Sequence, residues 1–152
     1  MRLLRGVGWL LKMGTLLSSF GFVVTVSIQI FARYFLENVP PWTEEASRIL
    51  FIYAIAFASG LAYKGNYFVR LDLFQEKEQP HLKRVLDRLT PLATLLLFGI
   101  MGVYALYMLD MGRKELSPSL QIPMSLPFFS LLILTGSVCL YALLNLIKQF
   151  NK

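Results

Sequence analysis

Long uncharged stretches, separated by clusters of charge, dominate the pattern of this chain. Four of them can be read, at residues 13–32, 49–63, 89–109 and 116–147. About 20 helical residues, at about 1.5 Å each, cross a hydrocarbon core of about 30 Å. The first and third stretches fit this length as they stand, so the pattern predicts membrane-spanning helices.

The second stretch has only fifteen residues, which is short for a membrane span. It reaches full length if its helix begins near Trp42. Charged side chains then lie in the first turns of that helix, at the membrane interface: Glu44, Glu45 and Arg48. Charge beside an apolar run is costly unless it has partners or lies at a membrane edge.

The fourth stretch is too long for one span, and prolines interrupt its first part. A helix that begins near Ser125 keeps Pro127 in its first turn, where the missing N–H does no harm. The chain is therefore predicted to be an all-α integral membrane protein, a single domain over residues 1–152. The predicted spans are residues 13–35, 42–64, 88–109 and 125–148.

Composition and charge support this class. Hydrophobic residues make up 56% of the chain and aromatic residues 14%, outside the range of small soluble domains. The net charge of +6 could suggest nucleic-acid binding, but the basic residues sort by loop instead of forming one face. Eleven lie in the termini and the connection between the second and third helices, against four in the other connections. The positive-inside rule therefore predicts cytoplasmic termini, and no nucleic-acid partner is expected.

The N-terminal segment, residues 2–12, mixes three cations with apolar residues. It is predicted either to form a short amphipathic helix in the inner leaflet, with Trp9 as an interfacial anchor, or to extend the first helix into the headgroups.

An ion-pair cluster is predicted where the first helix ends and the second begins. Two prolines end the short connection, so a tight turn would bring Arg33 to the depth of Glu44 and Glu45. Glu44 and Arg48 also form an i,i+4 pair in the favourable order, and Thr43 is expected to cap the helix. The alternatives are a solvated interface cluster and a snorkelling Arg33.

Small residues predict close helix packing in two places. In the first helix they form the pairs Gly14 with Ser18 and Gly21 with Thr25. In the second helix they form an i,i+4 column: Ala54, Ala58 and Ala62.

No Asp, Glu, Lys, Arg or His lies in the interior of any predicted span. A transporter that acts alone on ions would normally place at least one there. The paired membrane histidines of a haem-binding anchor are also missing, as are nucleotide loops, metal-ligand spacings and nucleophile arrangements. These absences predict an accessory or structural membrane subunit that is not an enzyme and carries no cofactor.

Several of these residues resemble the small membrane subunit of tripartite ATP-independent periplasmic (TRAP) transporters, the DctQ-like family, in its unfused form. They are Gln29, Arg33, Tyr34, Trp42, Thr43, Glu44, Glu45, Arg48, Gly60, Val69, Arg70, Leu71 and Asp72. Ser117-Pro118 with Ile122-Pro123 resembles the outer loop of that family. The chain departs from the family at Phe68, where a histidine is common.

The resemblance implies a bacterial inner-membrane importer, coupled to sodium, for an organic acid such as sialic acid or a C4-dicarboxylate. A separate large subunit would contain the substrate and Na⁺ sites and move as an elevator, and a periplasmic binding protein would deliver the substrate. The small subunit would stabilise and widen the static scaffold of the large one, in contact with membrane lipids. Expected contacts are Ala54, Ala58 and Ala62 with the large subunit, and Asp110, Arg113, Lys114 and Glu115 with the binding protein.

Two other classes compete with this interpretation. An autonomous four-helix transporter of the multidrug type would carry a membrane-embedded glutamate in its first helix, which residues 13–32 lack. A membrane anchor for an oxidoreductase would need haem ligands, which the spans do not supply.

Overall fold

A computed structural model describes residues 2–35, 40–65 and 80–150. These residues form four helices: α1 Arg2–Phe35, α2 Trp42–Lys64, α3 Pro80–Gly112 and α4 Ser125–Phe150. By length and composition, each of the four can cross a membrane. The predicted all-α architecture with four spans is therefore confirmed, and the chain is a multi-pass membrane protein.

The helix boundaries differ from the predicted spans mainly at N-termini. A separate amphipathic helix at the N-terminus is not formed, because α1 runs without interruption from Arg2 to Phe35. The segment contains glycines but no proline, the residue that would break the helix, so the helix continues through it. Similarly, α3 begins at Pro80 and includes the amphipathic lead-in before residue 89, whereas α2 covers the predicted residues 42–64.

The helices pack in an order that differs from their order in the chain. Helix α1 packs against α2, α2 packs against α4, and α4 packs against α3. Thus α2 and α4 have helical neighbours on two sides, while α1 and α3 flank them. Among the described residues, the backbone of α3 makes no close approach to α1 or α2.

The contact between α1 and α2 follows a heptad spacing. Buried and half-buried residues of α1 recur after three and four positions, and finally after seven: Leu11, Gly14, Ser18, Gly21, Thr25 and Ala32. A Cβ atom at Gly14 would lie 2.7 Å from the Phe57 ring, and one at Gly21 would lie 3.3 Å from Leu50 Cδ1. Gly14 and Gly21 are seven positions apart on α1, and their partners Phe57 and Leu50 are seven positions apart on α2 in the opposite direction. The two helices therefore form an antiparallel seam. The close approach expected at these glycines is made with α2.

Helices α3 and α4 approach closely where α3 ends. A Cβ atom at Gly112 would lie 2.6 Å from Phe128 Cδ2 and 2.8 Å from the backbone nitrogen of Ser125. Only glycine fits there without displacing the backbone, so Gly112 allows α3 to end directly against the start of α4.

Candidate functional site

The loop between α3 and α4 forms a short hairpin at one end of the bundle. We call this end, where α1 and α3 end and α2 and α4 begin, the outer end, and we call residues 115–124 the outer hairpin. Ser117 N–H donates to the Ile122 carbonyl at 2.8 Å, and Met124 N–H donates to the Glu115 carbonyl at 2.9 Å. Leu116 and Pro123 pair between them as an antiparallel bridge. The two dipeptides that resemble the family's outer loop thus form the paired base of this hairpin.

The turn of the outer hairpin has a defined backbone. Gln121 adopts a left-handed conformation with φ of 53°, which is uncommon for a residue other than glycine. Its side-chain amide donates to the Pro118 carbonyl at 3.1 Å. This hydrogen bond offsets part of the conformational cost and closes the turn on itself.

Glu45 connects this turn to the start of α2. Its Oε2 accepts hydrogen bonds from the backbone N–H groups of Ser119, at 3.0 Å, and Leu120, at 2.9 Å. The buried Ser117 hydroxyl lies next to the same carboxylate without meeting the geometry of a hydrogen bond. Successive N–H groups that converge on one anion form a favourable, charge-assisted arrangement. A single carboxylate therefore joins the first turn of α2 to a loop 74 residues further along the chain.

The other residues of the predicted ion-pair cluster are arranged differently. Arg48 Nη2 lies 3.6 Å from Glu44 Oε1, and both side chains are about 70% exposed, at 69% and 71%. Such an exposed pair contributes little to stability. Arg33 is also exposed, and it forms no ion pair with any residue that the structure describes.

Helix geometry explains why these four charges do not gather. Neighbouring residues on an α-helix point about 100° apart, so Glu44 and Glu45 cannot face the same partner. Glu45 is half-buried and faces the outer hairpin, whereas Glu44 is exposed beside Arg48. The structure thus brings Glu44 and Arg48 together, joins Glu45 to the hairpin, and leaves Arg33 apart.

The prediction that Thr43 caps α2 is wrong. The helix already begins at Trp42, so Thr43 lies inside its first turn, and the capping position belongs to Pro41, which makes no side-chain cap. The buried Thr43 hydroxyl instead donates to the Pro40 carbonyl at 2.8 Å. Trp42, at the first helical position, is 43% exposed.

The remaining motif residues fall into three different settings. Gln29 is half-buried on α1. Gly60 is buried where three helices meet, since a Cβ there would lie 2.6 Å from Ser137 Cβ on α4 and 3.1 Å from Leu11 Cδ1 on α1. Phe68, Arg70 and Asp72 lie outside the described residues.

The predicted docking residues gather at the base of the outer hairpin. All four are exposed, at the end of α3 and the start of the hairpin: Asp110, Arg113, Lys114 and Glu115. The backbone there closes with hydrogen bonds from Arg113 N–H to the Asp110 carbonyl, at 3.3 Å, and from Lys114 N–H to the Met111 carbonyl, at 3.2 Å. Charges of both signs are therefore presented on an ordered segment.

The alanine column of α2 is half-buried along its length, at Ala54, Ala58 and Ala62. Ala54 lies one turn before Phe57, which contacts α1. Each further i+4 step rotates about 40° around the helix axis, toward the exposed side that carries Phe51. The column thus begins at the seam with α1 and ends beside a surface that this chain leaves uncovered.

Sequence reasoning missed a polar contact between α2 and α4. The Tyr53 hydroxyl donates to the Leu126 carbonyl at 2.7 Å. The one available signal was the tyrosine itself, because a phenol within a span usually finds a hydrogen-bond partner. This bond joins the two central helices close to the outer hairpin.

Comparison with known families gives a match that covers most of these features. A family model described as "Tripartite ATP-independent periplasmic transporters, DctQ component" matches residues 22–152. The matched range includes α2, α3, α4, the outer hairpin and residues 22–35 of α1. No curated protein matches the chain.

Proposed function

Because the chain belongs to the DctQ family of TRAP transporter components, we propose that it is the small accessory membrane subunit of a sodium-coupled organic-acid importer. The transported acid would be a carboxylate such as sialic acid or a C4-dicarboxylate. The transporter would lie in a bacterial inner membrane, with the outer end of the bundle in the periplasm. The match over residues 22–152 is the observation that carries this proposal.

In this proposal the subunit supports a larger transporter and does not bind the substrate. The interiors of the spans contain no Asp, Glu, Lys, Arg or His that could coordinate Na⁺ or pair with a carboxylate. These sites would lie in a separate, large multi-helix subunit. The present chain would supply rigid helices against which the moving part of that subunit is displaced.

The uncovered apolar surface supports a scaffold role. In the most hydrophobic window of each helix, only 11% of α1 and 6% of α3 is buried within the chain. The rest needs lipid or another protein as its neighbour. We assign the contact with the large subunit to the side of α2 that carries Ala58 and Ala62, because small side chains allow helices to approach closely.

The outer hairpin supports a second role, contact with the periplasmic binding protein. Its base presents Asp110, Arg113, Lys114 and Glu115, and Glu45 orders its turn through two backbone N–H groups. Mixed charges on a preorganised surface favour correct orientation of a partner more than they add affinity. The hairpin would therefore orient the binding protein over the transporter.

Co-expression and reconstitution test this function. We expect the chain to co-purify with a large multi-helix membrane protein. In liposomes with a sodium gradient, uptake of the acid should require this chain, the large subunit and the binding protein. Liposomes that lack only this chain are the matched control.

Two outcomes would contradict the proposal. One is the absence of any large membrane partner after purification in mild detergent. The other is uptake or efflux of a solute, such as a cationic dye, by liposomes that contain this chain alone. The second outcome would favour the autonomous multidrug transporter.

A further inference from the structure

At the inner end of the bundle, opposite the outer hairpin, three helices converge on Gly8. Lys64 lies in the last turn of α2, and its Nζ is 5.8 Å from the centroid of the Tyr141 ring on α4. A Cβ atom at Gly8 of α1 would lie 3.1 Å from Lys64 Nζ and 3.5 Å from the Tyr141 hydroxyl. The missing side chain at Gly8 thus lets an ammonium and a phenol approach the same point.

The hydroxyl of Tyr141 lacks a partner at this point. The side chain is only 6% exposed, and its oxygen is buried without a hydrogen bond to any described residue. Leaving a buried hydroxyl unpaired is costly, so such groups normally have a partner. The neighbouring Lys64 ammonium can only donate, so the Tyr141 O–H has no acceptor among the described residues.

Two further cations flank the same point on α1. Arg5 lies three residues before Gly8 and Lys12 lies four residues after it. These spacings place both on the helix face that carries Gly8. With Lys64, three exposed cations surround the site, and none forms an ion pair with a described acidic side chain. Bound negative charge would relieve their mutual repulsion.

Exposed apolar side chains lie directly beside this cluster. Trp9 is 63% exposed and Leu16 is 55% exposed, and both lie within about 100° of Gly8 around the axis of α1. A ligand with both a negative headgroup and apolar chains would contact the cations and this surface together. Basic pockets between membrane helices recognise anionic lipid headgroups in this way.

We propose that the inner ends of α1, α2 and α4 form a binding site for the phosphate of an anionic phospholipid. The Tyr141 hydroxyl donates a hydrogen bond to a phosphate oxygen, and Lys64, Arg5 and Lys12 supply the compensating charge. The exposed Lys64 side chain is flexible and moves aside to admit the headgroup. The acyl chains lie along the apolar surface at Trp9 and Leu16.

Native mass spectrometry of the purified full chain tests the site. The protein is mixed with equal amounts of phosphatidylglycerol and phosphatidylcholine that have the same acyl chains. We expect wild type to retain phosphatidylglycerol preferentially. Lys64→Gln and Tyr141→Phe should each lower that retention by about fivefold, the loss expected for one charge or one hydrogen bond.

Lys114→Gln provides the matched control, because it removes an exposed cation at the outer end of the bundle. It should leave the lipid preference unchanged. Arg5→Gln changes an exposed residue. It should therefore lower the retention of phosphatidylglycerol while the helical circular dichroism, which reports the fold, stays as in wild type. Equal retention of the two lipids by wild type would overturn the proposal, as would full retention by Lys64→Gln or Tyr141→Phe. Displacement of phosphatidylglycerol by millimolar inorganic phosphate would assign the site to free phosphate and would also overturn it.

Discussion

At the scale of single residues, two adjacent carboxylates have different environments. Glu44 and Glu45 both lie in the first turn of α2, where negative charge complements the helix dipole. Glu44 is exposed and pairs with Arg48, whereas Glu45 accepts two backbone hydrogen bonds from the outer hairpin. The first interaction is local to one helix, and the second connects distant parts of the chain.

Glu45→Ala is expected to disorder the outer hairpin. Removing the acceptor leaves the N–H groups of Ser119 and Leu120 without their partner. In the wild type these two amides exchange only after a local opening breaks their hydrogen bonds to Glu45. Without those bonds, their amide hydrogen exchange should accelerate roughly tenfold or more. Hydrogen exchange with mass spectrometry, on peptides that cover residues 115–124, measures the effect.

Glu44→Ala is the control for this experiment, since it removes a carboxylate from the same helical turn without touching the hairpin. Exchange in residues 115–124 should then match wild type. Equal acceleration in both variants would show that charge at the start of α2, and not the Glu45 contact, orders the hairpin.

At the scale of helices, the register of α1 on α2 depends on two glycines. Gly14 faces Phe57, and Gly21 faces Leu50. Phe22 and Phe51 add an aromatic contact, with ring centroids 5.3 Å apart. Because lipid tails are as apolar as the side chains, close packing and not burial from water drives this pairing.

Gly14→Ala is expected to weaken the seam between α1 and α2. The new Cβ would lie 2.7–2.8 Å from atoms of the Phe57 ring, which must then move. Overpacking of this kind costs about 1–3 kcal/mol. Thermal denaturation of the purified protein in detergent, followed by size-exclusion chromatography, measures the loss.

Two further variants are compared with Gly14→Ala: a substitution at a second glycine of α1 and a compensating substitution on α2. Gly6→Ala should be neutral or slightly stabilising, because nothing lies within 4 Å of its new Cβ. The Gly14→Ala, Phe57→Leu double variant should recover part of the loss by removing the ring. If Gly14→Ala denatured at the same temperature as Gly6→Ala, the glycine would not determine the packing of the seam.

At the scale of the whole molecule, Gly60 connects the two halves of the bundle. Helix α2 lies between α1 and α4, and at Gly60 it contacts both Leu11 and Ser137. A change there affects the α1–α2 pair and its attachment to α4 and α3 at the same time. The inner end, with Lys64 and Tyr141, lies directly beyond this junction on α2 and α4.

Gly60→Ala is therefore expected to destabilise the bundle as a whole, by about 1–3 kcal/mol. The added Cβ would lie 2.6 Å from Ser137 Cβ and 2.7 Å from its hydroxyl oxygen, closer than packed atoms allow. Denaturation of the full chain in detergent, with helical circular dichroism as the signal, measures this loss.

Ser137→Gly should restore stability in the double variant, because it removes both atoms that clash. Gly136→Ala, on the neighbouring position of α4, has nothing within 4 Å of its Cβ and serves as the control. A double variant that remained as unstable as Gly60→Ala would mean that the cost arises elsewhere, for example against Leu11.

The sequence by itself determined the number of helices and the approximate position of each. A membrane helix is predicted from the length of its apolar run, the charges at its ends and the positions of proline. These are properties of a single segment, so the prediction needs no knowledge of which helices pack against it. The prediction for α2 was accurate for this reason, even though its uncharged run is only fifteen residues long. The residues that resemble the DctQ family all lie within residues 22–152, the range that the family model matches.

Only the tertiary structure decided which side chains meet. Glu45 was expected to pair with an arginine, but its partners are backbone N–H groups 74 and 75 residues away. The order of the helices and the meeting of Gly8, Lys64 and Tyr141 also depend on which faces pack together. In a membrane helix almost every face is apolar, so its sequence carries little information about the packed side. That choice is made by the mutual fit of helices distant in the chain.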